Sequence, residues 1–154
     1  MKKKPVATKT ISNSRARYDY ELGDSLLVGV ALTGAETKSL RMGHGNLRGA
    51  YVNVRGDELW LFNATINGTN GINIDEADQT RSRKLLAKRK QINDLIALKQ
   101  QGRTIVALEI LTRGRFIKIR IAAGKGRKTY DKRANLKSRD DARRTASELK
   151  RSLR

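Results

Sequence analysis

Residues 104–122, TIVALEILTRGRFIKIRIA, carry the clearest fold signal in the chain. Two runs rich in β-branched residues flank the Arg113-Gly114 pair, which is typical of a turn. In the return run, isoleucines alternate with Lys118 and Arg120, so a strand here has one apolar face and one basic face. The stretch therefore predicts an antiparallel hairpin whose isoleucines enter a core. The predicted strands are 104–111 and 115–122.

A second hairpin is predicted around Arg55-Gly56-Asp57, because the runs YVNV (51–54) and ELWLF (58–62) alternate on either side of it. The same alternation assigns Trp60 to the core. Further short runs of this kind alternate with glycine-containing turns as far as residue 123. The pattern predicts a mainly β fold, an OB-like antiparallel β-barrel with five or more strands.

Two segments interrupt the strand pattern and predict short helices. Residues 34–41, GAETKSLR, are followed by Gly43. Residues 83–101 contain leucines and isoleucines at helical spacing and are followed by Gly102. Glycine just past a helix end adopts the left-handed conformation that commonly stops a helix. We therefore expect a few short helices across the barrel, one of them beginning near Arg83.

The two ends of the chain differ from the barrel sequence. Residues 1–14 are polar and basic without periodicity, and predict a mobile basic arm before a barrel domain at 15–123. In 124–154, twelve Lys and Arg stand against four Asp and Glu, with too few bulky apolar residues for a core. This basic tail is therefore expected to be disordered alone or helical on a partner. Ser138 and Asp141 resemble a capping box, which predicts a helix start there.

The charge balance indicates a polyanionic partner. The chain has 34 Lys and Arg against 15 Asp and Glu, a formal net charge of +19. Binding of such a chain to nucleic acid is favoured, because each phosphate that it neutralises releases counterions. A membrane-surface protein would instead show an amphipathic helix with bulky apolar anchors, and the longest apolar stretch, 26–32, is too short to span a bilayer. No apolar signal region follows the lysines at 2–4, so we expect a cytoplasmic protein without membrane contact.

Candidate catalytic chemistry is sparse. His44 is the only histidine and the chain has no cysteine, so neither a thiol nucleophile nor a histidine-cysteine metal site can form. The tetrad DEAD (75–78) and the triplet GKG (124–126) suggest nucleotide binding, but their order is reversed and no G-x-x-x-x-G-K-[ST] string occurs. The tetrad is interpreted as a solvated loop. We therefore expect no enzymatic activity, no metal and no cofactor.

Local density indicates which cations are candidates for RNA contact, since most surface cations are simply solvated. Lys118 belongs to the basic strand face. Tyr130, between cations in RKTYDKR, is suited to stacking on an unpaired base, although a tyrosine that covers one end of the barrel is the alternative. The densest basic segment contains Arg81, Arg83, Lys84, Lys88, Arg89 and Lys90.

Five blocks of the sequence, taken in order, resemble one known family. They are NSRARYDY (13–20), VALTGAETKSLRMG (30–43), GNLRGAYV (45–52), RSRKLL (81–86) and GKGRKTYDKR (124–133). Each block is short, but their joint order and spacing resemble the SsrA-binding protein family, also called small protein B. The resemblance implies a bacterial ribosome-rescue factor whose OB-like barrel binds the tRNA-like domain of transfer-messenger RNA (tmRNA, SsrA).

The resemblance also implies partners and a mechanism. The barrel would take the place of the missing anticodon stem and deliver the RNA to stalled ribosomes for trans-translation. The basic tail would become helical in the empty mRNA channel beside the small-subunit decoding centre and report that no message is present. A monomer is expected. The tail residues implied to contact the ribosome are Lys125, Lys128, Tyr130, Asp131, Lys132, Arg133 and Arg139.

Matching motif positions imply which residues form or support the tmRNA surface. A carboxylate among them is reasonable, because it accepts hydrogen bonds from base amino groups or orients a neighbouring arginine. With two lysines added from the basic segments, the set is Asn13, Arg15, Arg17, Glu36, Lys38, Ser39, Asn46, Arg81, Arg83, Lys84, Leu86, Lys88 and Lys118.

Some positions depart from the family pattern. Leu27 stands where family members usually have a glutamate, which removes a carboxylate from the implied RNA surface. Ser14 and Tyr18 replace a basic residue and a histidine, and no proline precedes Arg81. The loop at 67–78 is therefore expected to differ in shape. The residues alone leave two other functions open, a structural ribosomal protein and an RNA-processing enzyme.

Overall fold

Antiparallel strand pairing organises the structure, a computed structural model that describes residues 10–152. In chain order its elements are β1 (Ile11–Ser12), α1 (Ser14–Asp19), β2 (Tyr20–Val30), α2 (Gly34–Met42), β3 (Gly45–Asn46), β4 (Tyr51–Arg55), β5 (Glu58–Phe62), β6 (Thr65–Ile66), α3 (Glu76–Gln79), β7 (Arg83–Leu86), α4 (Arg89–Gln100), β8 (Thr104–Leu111), β9 (Lys118–Gly126) and α5 (Thr129–Ser152).

The main sheet has seven strands in the order β1-β8-β4-β5-β7-β2-β9, and β3 pairs separately with β6. Strand β8 also pairs with β9, so the main ladder closes on itself around the apolar core. A closed antiparallel ladder with short helices is the arrangement that the alternating runs predict. The mainly β, OB-like fold expected from the sequence is confirmed.

Both predicted hairpins are present. β4 pairs with β5 in the register Tyr51↔Phe62, and β8 pairs with β9 in the register Leu111↔Lys118. Ile119 is fully buried whereas Lys118 is exposed, so the return strand separates a core face from a basic outer face as predicted. The return strand begins at Lys118 rather than at residue 115.

The predicted helices form, but one of them starts later than expected. Gly43 and Gly102 follow α2 and α4 with φ of 89° and 79°, the left-handed conformation predicted for helix ends. Residues 83–86, however, form β7 between β5 and β2, and the helix begins only at Arg89. The prediction was wrong there because the buried side chain of Arg83 is charged. The segment therefore lacks the alternation of apolar and polar residues by which a strand is recognised in a sequence.

The assignment of Trp60 to the core is also wrong. Strand β5 buries Leu59 and Leu61, and Trp60 lies half-buried on the other face, opposite Asn53 of β4 and Lys84 of β7. Successive side chains of a strand point to opposite faces. Once the two leucines face the core, the tryptophan must lie outside.

The barrel begins nearer the N-terminus than predicted. Ile11 joins the core and pairs with Ile110 of β8, and Asn13 caps α1 by accepting a hydrogen bond from the Ala16 N–H group. Residues 11–14 of the predicted mobile arm therefore belong to the folded part, because β1 and the α1 cap hold them there. The rest of that arm, residues 1–9, lies outside the described part of the chain.

The chain leaves the barrel as one long helix. Strand β9 continues to Gly126, beyond the predicted start of the tail, and α5 begins at Thr129. The predicted helix start at Ser138 is wrong, because Ser138 and Asp141 both lie inside α5. Every residue in 136–151 is exposed. Within residues 10–152, no helix has the length and apolar character that a membrane span requires.

Close strand packing requires the first glycine of GKG. A Cβ atom at Gly124 would lie 2.9 Å from the Glu21 carbonyl oxygen and 3.0 Å from Leu22 Cδ2, whereas one at Gly126 would meet nothing within 4 Å. We expect Gly124→Ala to lower the free energy of unfolding by about 1–3 kcal/mol, because the backbone must shift. The matched control Gly126→Ala should stay within about 0.5 kcal/mol of the parent chain. Urea unfolding compares them, and equal stability of the two variants would contradict the packing argument.

Candidate nucleic-acid interface

A buried carboxylate, Glu36, lies among the residues predicted to form or support an RNA surface. It is the third residue of α2 and is only 1% exposed. Its Oε2 accepts a hydrogen bond from the Thr33 N–H group at 2.9 Å, and Thr33 Oγ1 accepts one from the Glu36 N–H group at 3.3 Å. This reciprocal capping box starts α2 and fixes the direction of the Glu36 side chain.

Two arginines complete the cluster around Glu36. Arg81 donates from Nε and Nη2 to the two carboxylate oxygens at 2.9 and 2.7 Å. Arg83, with 0% exposure, donates from Nε to Oε1 at 3.0 Å. Its η nitrogens donate at 2.8 to 3.1 Å to the main-chain carbonyls of Ala64, Asp78, Gln79 and Arg81. All the N–H donors of the Arg83 guanidinium are thereby used.

Burial and hydrogen bonding shift the pKa values of this cluster in opposite directions. Burial alone would raise the pKa of Glu36, but the hydrogen bonds from Arg81 and Thr33 and the charge of Arg83 hold that pKa below its ordinary value. The hydrogen bond to Glu36 raises the pKa of Arg81, whereas burial lowers the pKa of Arg83 despite the same carboxylate. At neutral pH the cluster is therefore an ionised carboxylate between two guanidinium groups.

Four of the predicted residues are parts of the scaffold. Glu36 and Arg83 bind each other, and the Ser39 hydroxyl, with 0% exposure, donates to the main-chain carbonyl of Asn67. Asn13 is buried and its amide donates to two main-chain carbonyls at 2.9 and 3.0 Å. All four side chains are hydrogen-bonded within the protein, so these residues can support an RNA surface without reaching a phosphate.

A groove of 810 Å³ runs along the outer side of β2 and β7 to the start of α4, and we call it the outer groove. Because Arg83 points inward, the alternation of β7 turns Lys84 and Leu86 outward, and Leu86 is 55% exposed. Lys84 also pairs with Glu58. The outer groove brings together Leu27, Lys84, Leu86, Lys88 and Lys118 among its lining residues.

The other predicted surface residues do not line the outer groove. Arg15 and Arg17 are exposed on α1, Lys38 is exposed on α2 and Asn46 is exposed in β3. Arg81 keeps 34% of its side chain exposed while it binds Glu36. The structure thus separates the predicted set into buried supports, residues that line the outer groove and side chains that are exposed elsewhere on the surface.

The predicted tail residues lie at the end of β9, in the two-residue link that follows it and in the first turns of α5. Lys132 Nζ lies 2.9 Å from Asp19 Oδ1 and 5.8 Å from the ring centroid of Tyr18, so α5 starts against α1. Asp131 is half-buried. The exposed members of the set are Lys125, Lys128, Tyr130, Arg133 and Arg139.

Two residues at this junction, Asp19 and Arg127, form contacts that the sequence did not predict. Asp19 binds Lys132 and lies 3.8 Å from Arg15 Nε, and its main-chain carbonyl accepts a hydrogen bond from the Arg127 N–H group at 2.8 Å. The spacing of Arg15 and Asp19, four residues apart on a helix, could have suggested their pairing. No local pattern could connect Asp19 with Lys132, which is 113 residues away in the chain.

The substitution Glu36→Gln tests the buried cluster. It leaves Arg83 buried without its counter-charge, so we expect the free energy of unfolding at pH 7 to fall by about 3–5 kcal/mol. The exposed pair of Lys84 and Glu58 supplies the matched control, and Glu58→Gln should cost less than about 1 kcal/mol. Denaturant unfolding measures both values. Similar losses in the two variants would contradict the structural role of Glu36.

The difference in the free energy of unfolding between the parent chain and Glu36→Gln depends on pH. Because folding lowers the pKa of Glu36 below its ordinary value of 4.5, the stability from its ionised form is complete above that value and is lost as the pH falls through the folded pKa. The parent chain should therefore lose its advantage over Glu36→Gln on acidification from pH 7 to pH values below the folded pKa. A difference that stays constant over this range would contradict the assignment.

Known proteins are similar to this chain in sequence and in fold. The family model described as SmpB protein matches residues 10–151. The SsrA-binding protein of Trichormus variabilis is 41% identical over 146 residues, 93% of this chain and 94% of its own, and that of Syntrophomonas wolfei is 40% identical over 152 residues, 98% and 92%. A solved structure, "tmRNA-SmpB: a journey to the center of the bacterial ribosome", has a TM-score of 0.64 and 33% identity, covering 78% of this chain and 85% of its own. Because the family model spans most of its length, the chain belongs to the SmpB protein family.

Proposed function

We propose that the protein is a non-enzymatic RNA-binding factor of the bacterial cytoplasm. It binds the tRNA-like domain of transfer-messenger RNA and delivers that RNA to stalled ribosomes for trans-translation. Family membership supports the proposal, since the relatives are named SsrA-binding proteins and the solved relative is described as tmRNA-SmpB in the bacterial ribosome. The barrel acts as a monomer on the RNA, and the basic tail acts on the ribosome.

The outer groove is the observation that carries the proposal. Lys118 is far in the sequence from Lys84, Leu86 and Lys88, yet all four line one concave surface. Lysine ammonium groups neutralise backbone phosphates, and exposed leucines offer an apolar surface to sugars and bases. Folded RNA is recognised largely through its shape and backbone. Asp57 and Glu58 also line the groove and pair with Arg89 and Lys84, so Lys88 and Lys118 supply its excess positive charge. A groove that combines this positive charge with exposed leucines suits such a ligand.

The buried cluster supports the outer groove from inside. Arg83 donates hydrogen bonds to Glu36 and to surrounding main-chain carbonyls, and these bonds fix the inward orientation of its side chain. The alternation of β7 then fixes the outward direction of Lys84 and Leu86. Glu36 and Arg83 therefore act on RNA binding by positioning other residues.

The tail helix suits a narrow channel lined by RNA. The 24 residues of α5 span about 36 Å at 1.5 Å per residue. They include eight Lys and Arg against four Asp and Glu, and 136–151 are exposed on all sides. Tyr130, 66% exposed at the base of the helix, can stack on a base near the decoding centre. In this proposal α5 enters the empty mRNA channel.

Competition binding of the full chain tests the proposed function. It should prefer the tRNA-like domain over ordinary tRNA and over an unrelated hairpin at near-physiological salt, where non-specific binding has a Kd of about 10⁻⁴–10⁻⁶ M. In the same assay, Lys88→Ala/Lys118→Ala should weaken binding and lower the magnitude of the salt slope by about 0.7–0.9 for each phosphate that the protein no longer neutralises.

A matched control separates the outer groove from net charge. Lys99→Ala/Arg103→Ala also removes two positive charges, and Lys99 lies at the other end of α4, about 16 Å from Lys88 along the helix axis. This variant should keep the affinity and the salt slope of the parent chain. Equal binding of all three RNAs by the parent chain would contradict the proposal and favour a structural ribosomal protein.

Truncation after Asp140 tests the separate role of the distal tail. It keeps the β2–β9 pairing up to Gly126, the contact of Lys132 with Asp19 and the Arg139 side chain, and it removes an exposed part of α5. We expect unchanged affinity for the tRNA-like domain and loss of peptide tagging on stalled ribosomes, measured in a reconstituted translation reaction. A loss of RNA affinity comparable to the loss of tagging would refute this division of roles.

A further inference from the structure

A second groove, of 560 Å³, lies between α1 and the first turns of α5, and we call it the junction groove. Its place follows from strand register. Tyr20 at the start of β2 pairs with Gly126 at the end of β9, so α1 and α5 leave the sheet side by side. Asp19 fastens them together, through its carboxylate to Lys132 and through its carbonyl to the N–H group of Arg127.

Three arginines line the junction groove, Arg17 from α1, Arg127 from the link after β9 and Arg139 from α5. Within residues 10–152, none of these three side chains forms an ion pair with a carboxylate. Glu109, the carboxylate among the lining residues, is already paired with Arg120 at 2.6 Å. Three positive charges therefore share one groove without a counter-charge.

The Arg127 side chain supplies an independent observation. Its Nε is buried, and in the part of the chain that the structure describes this atom has no hydrogen-bond partner. Buried N–H groups nearly always have an acceptor, so an unpaired one requires an explanation. Together with the uncompensated charge, it indicates that the groove is built for an anion.

We propose that the junction groove binds a phosphodiester of an RNA backbone, held jointly by the barrel and by the tail helix. The planar guanidinium fork of arginine matches phosphate oxygens and binds them through two parallel hydrogen bonds. Ser12, Ser14 and Asn135 add hydroxyl and amide donors to the same lining. The volume of the groove falls in the range of about 300–1,000 Å³ that small-ligand sites occupy.

This site is distinct from the outer groove, since the two have no lining residue in common. Arg17 belongs to the barrel whereas Arg139 moves with α5, so the full site exists only while α5 lies against α1. Binding of a phosphate consequently holds the tail helix in this direction. The phosphate belongs either to tmRNA or to ribosomal RNA. Naming these two RNAs as the sources rests on the proposed function, whereas the binding of a phosphodiester rests on the groove itself.

A double-mutant cycle in the full chain tests the junction groove. Arg17→Ala, Arg139→Ala and the double variant are titrated with the isolated tRNA-like domain and, separately, with small ribosomal subunits over a range of salt. If both arginines hold one phosphate, each single variant should lower the magnitude of the salt slope by about 0.7–0.9, and the double variant by no more. The loss of affinity in the double variant should be smaller than the product of the single losses by about threefold or more.

The two arms identify the source of the phosphate, since coupling on the tRNA-like domain assigns it to tmRNA and coupling on the subunits assigns it to ribosomal RNA. Lys99→Ala/Arg103→Ala again controls for net charge and should change neither arm. Thermal unfolding should be unchanged in all variants, because Arg17 and Arg139 are exposed. Independent losses, or no loss, in both arms would overturn the inference. Failure of the proposed function is separate, since it shows as absent RNA preference in the parent chain.

Discussion

The burial of one carboxylate with one guanidinium governs how the barrel presents its outer face. Glu36 caps α2 and at the same time binds Arg83, whose remaining donors hold carbonyls from the ends of three neighbouring segments. A buried ion pair of this kind stabilises a fold little more than apolar residues of the same volume would. The ion pair fixes the orientation of the Arg83 side chain, because each of its hydrogen bonds requires an acceptor at a defined position. The outward faces of β7 and the outer groove depend on that direction.

Three other acidic residues of this strongly basic chain also join neighbouring elements. Asp19 lies where α1 meets α5, Glu58 lines the outer groove and pairs with Lys84 of β7, and Glu109 of β8 pairs with Arg120 of β9. A net charge of +19 implies repulsion between the cations at the surface, and these three carboxylates relieve that repulsion where two elements meet. In the described part of the chain, Lys88 and Lys118 at the outer groove and Arg17, Arg127 and Arg139 at the junction groove form no ion pair with a carboxylate. These five side chains therefore remain available to a partner.

The hairpins, the class of fold and the helix-ending glycines could be predicted because each is encoded by a local pattern of alternating or periodic residues. Strand β7 could not, since the inward arginine at 83 reverses the usual pairing of polar residues with the solvent side. Trp60 was misplaced because hydrophobicity alone does not reveal which of two alternating faces is buried. The early start of α5 and the role of Asp19 depend on contacts between residues more than a hundred positions apart, such as Asp19 with Lys132. The RNA-contact roles assigned through motif resemblance stay predictions, and the structure divides them into supports and exposed contacts.

The geometry of the link between the barrel and the tail has a mechanical consequence. Only Arg127 and Lys128 separate the end of β9 from the start of α5, so the helix is a rigid arm mounted on a short pivot. With an arm of about 36 Å, a rotation of 10° at the pivot displaces the far end by about 6 Å, roughly one helical turn. The contacts between α1 and α5 lie close to the pivot, where the arm moves least. Shifts of a fraction of an ångström there, of the kind that accompany the rearrangement of a single side chain, are multiplied several-fold at the distal end of the chain.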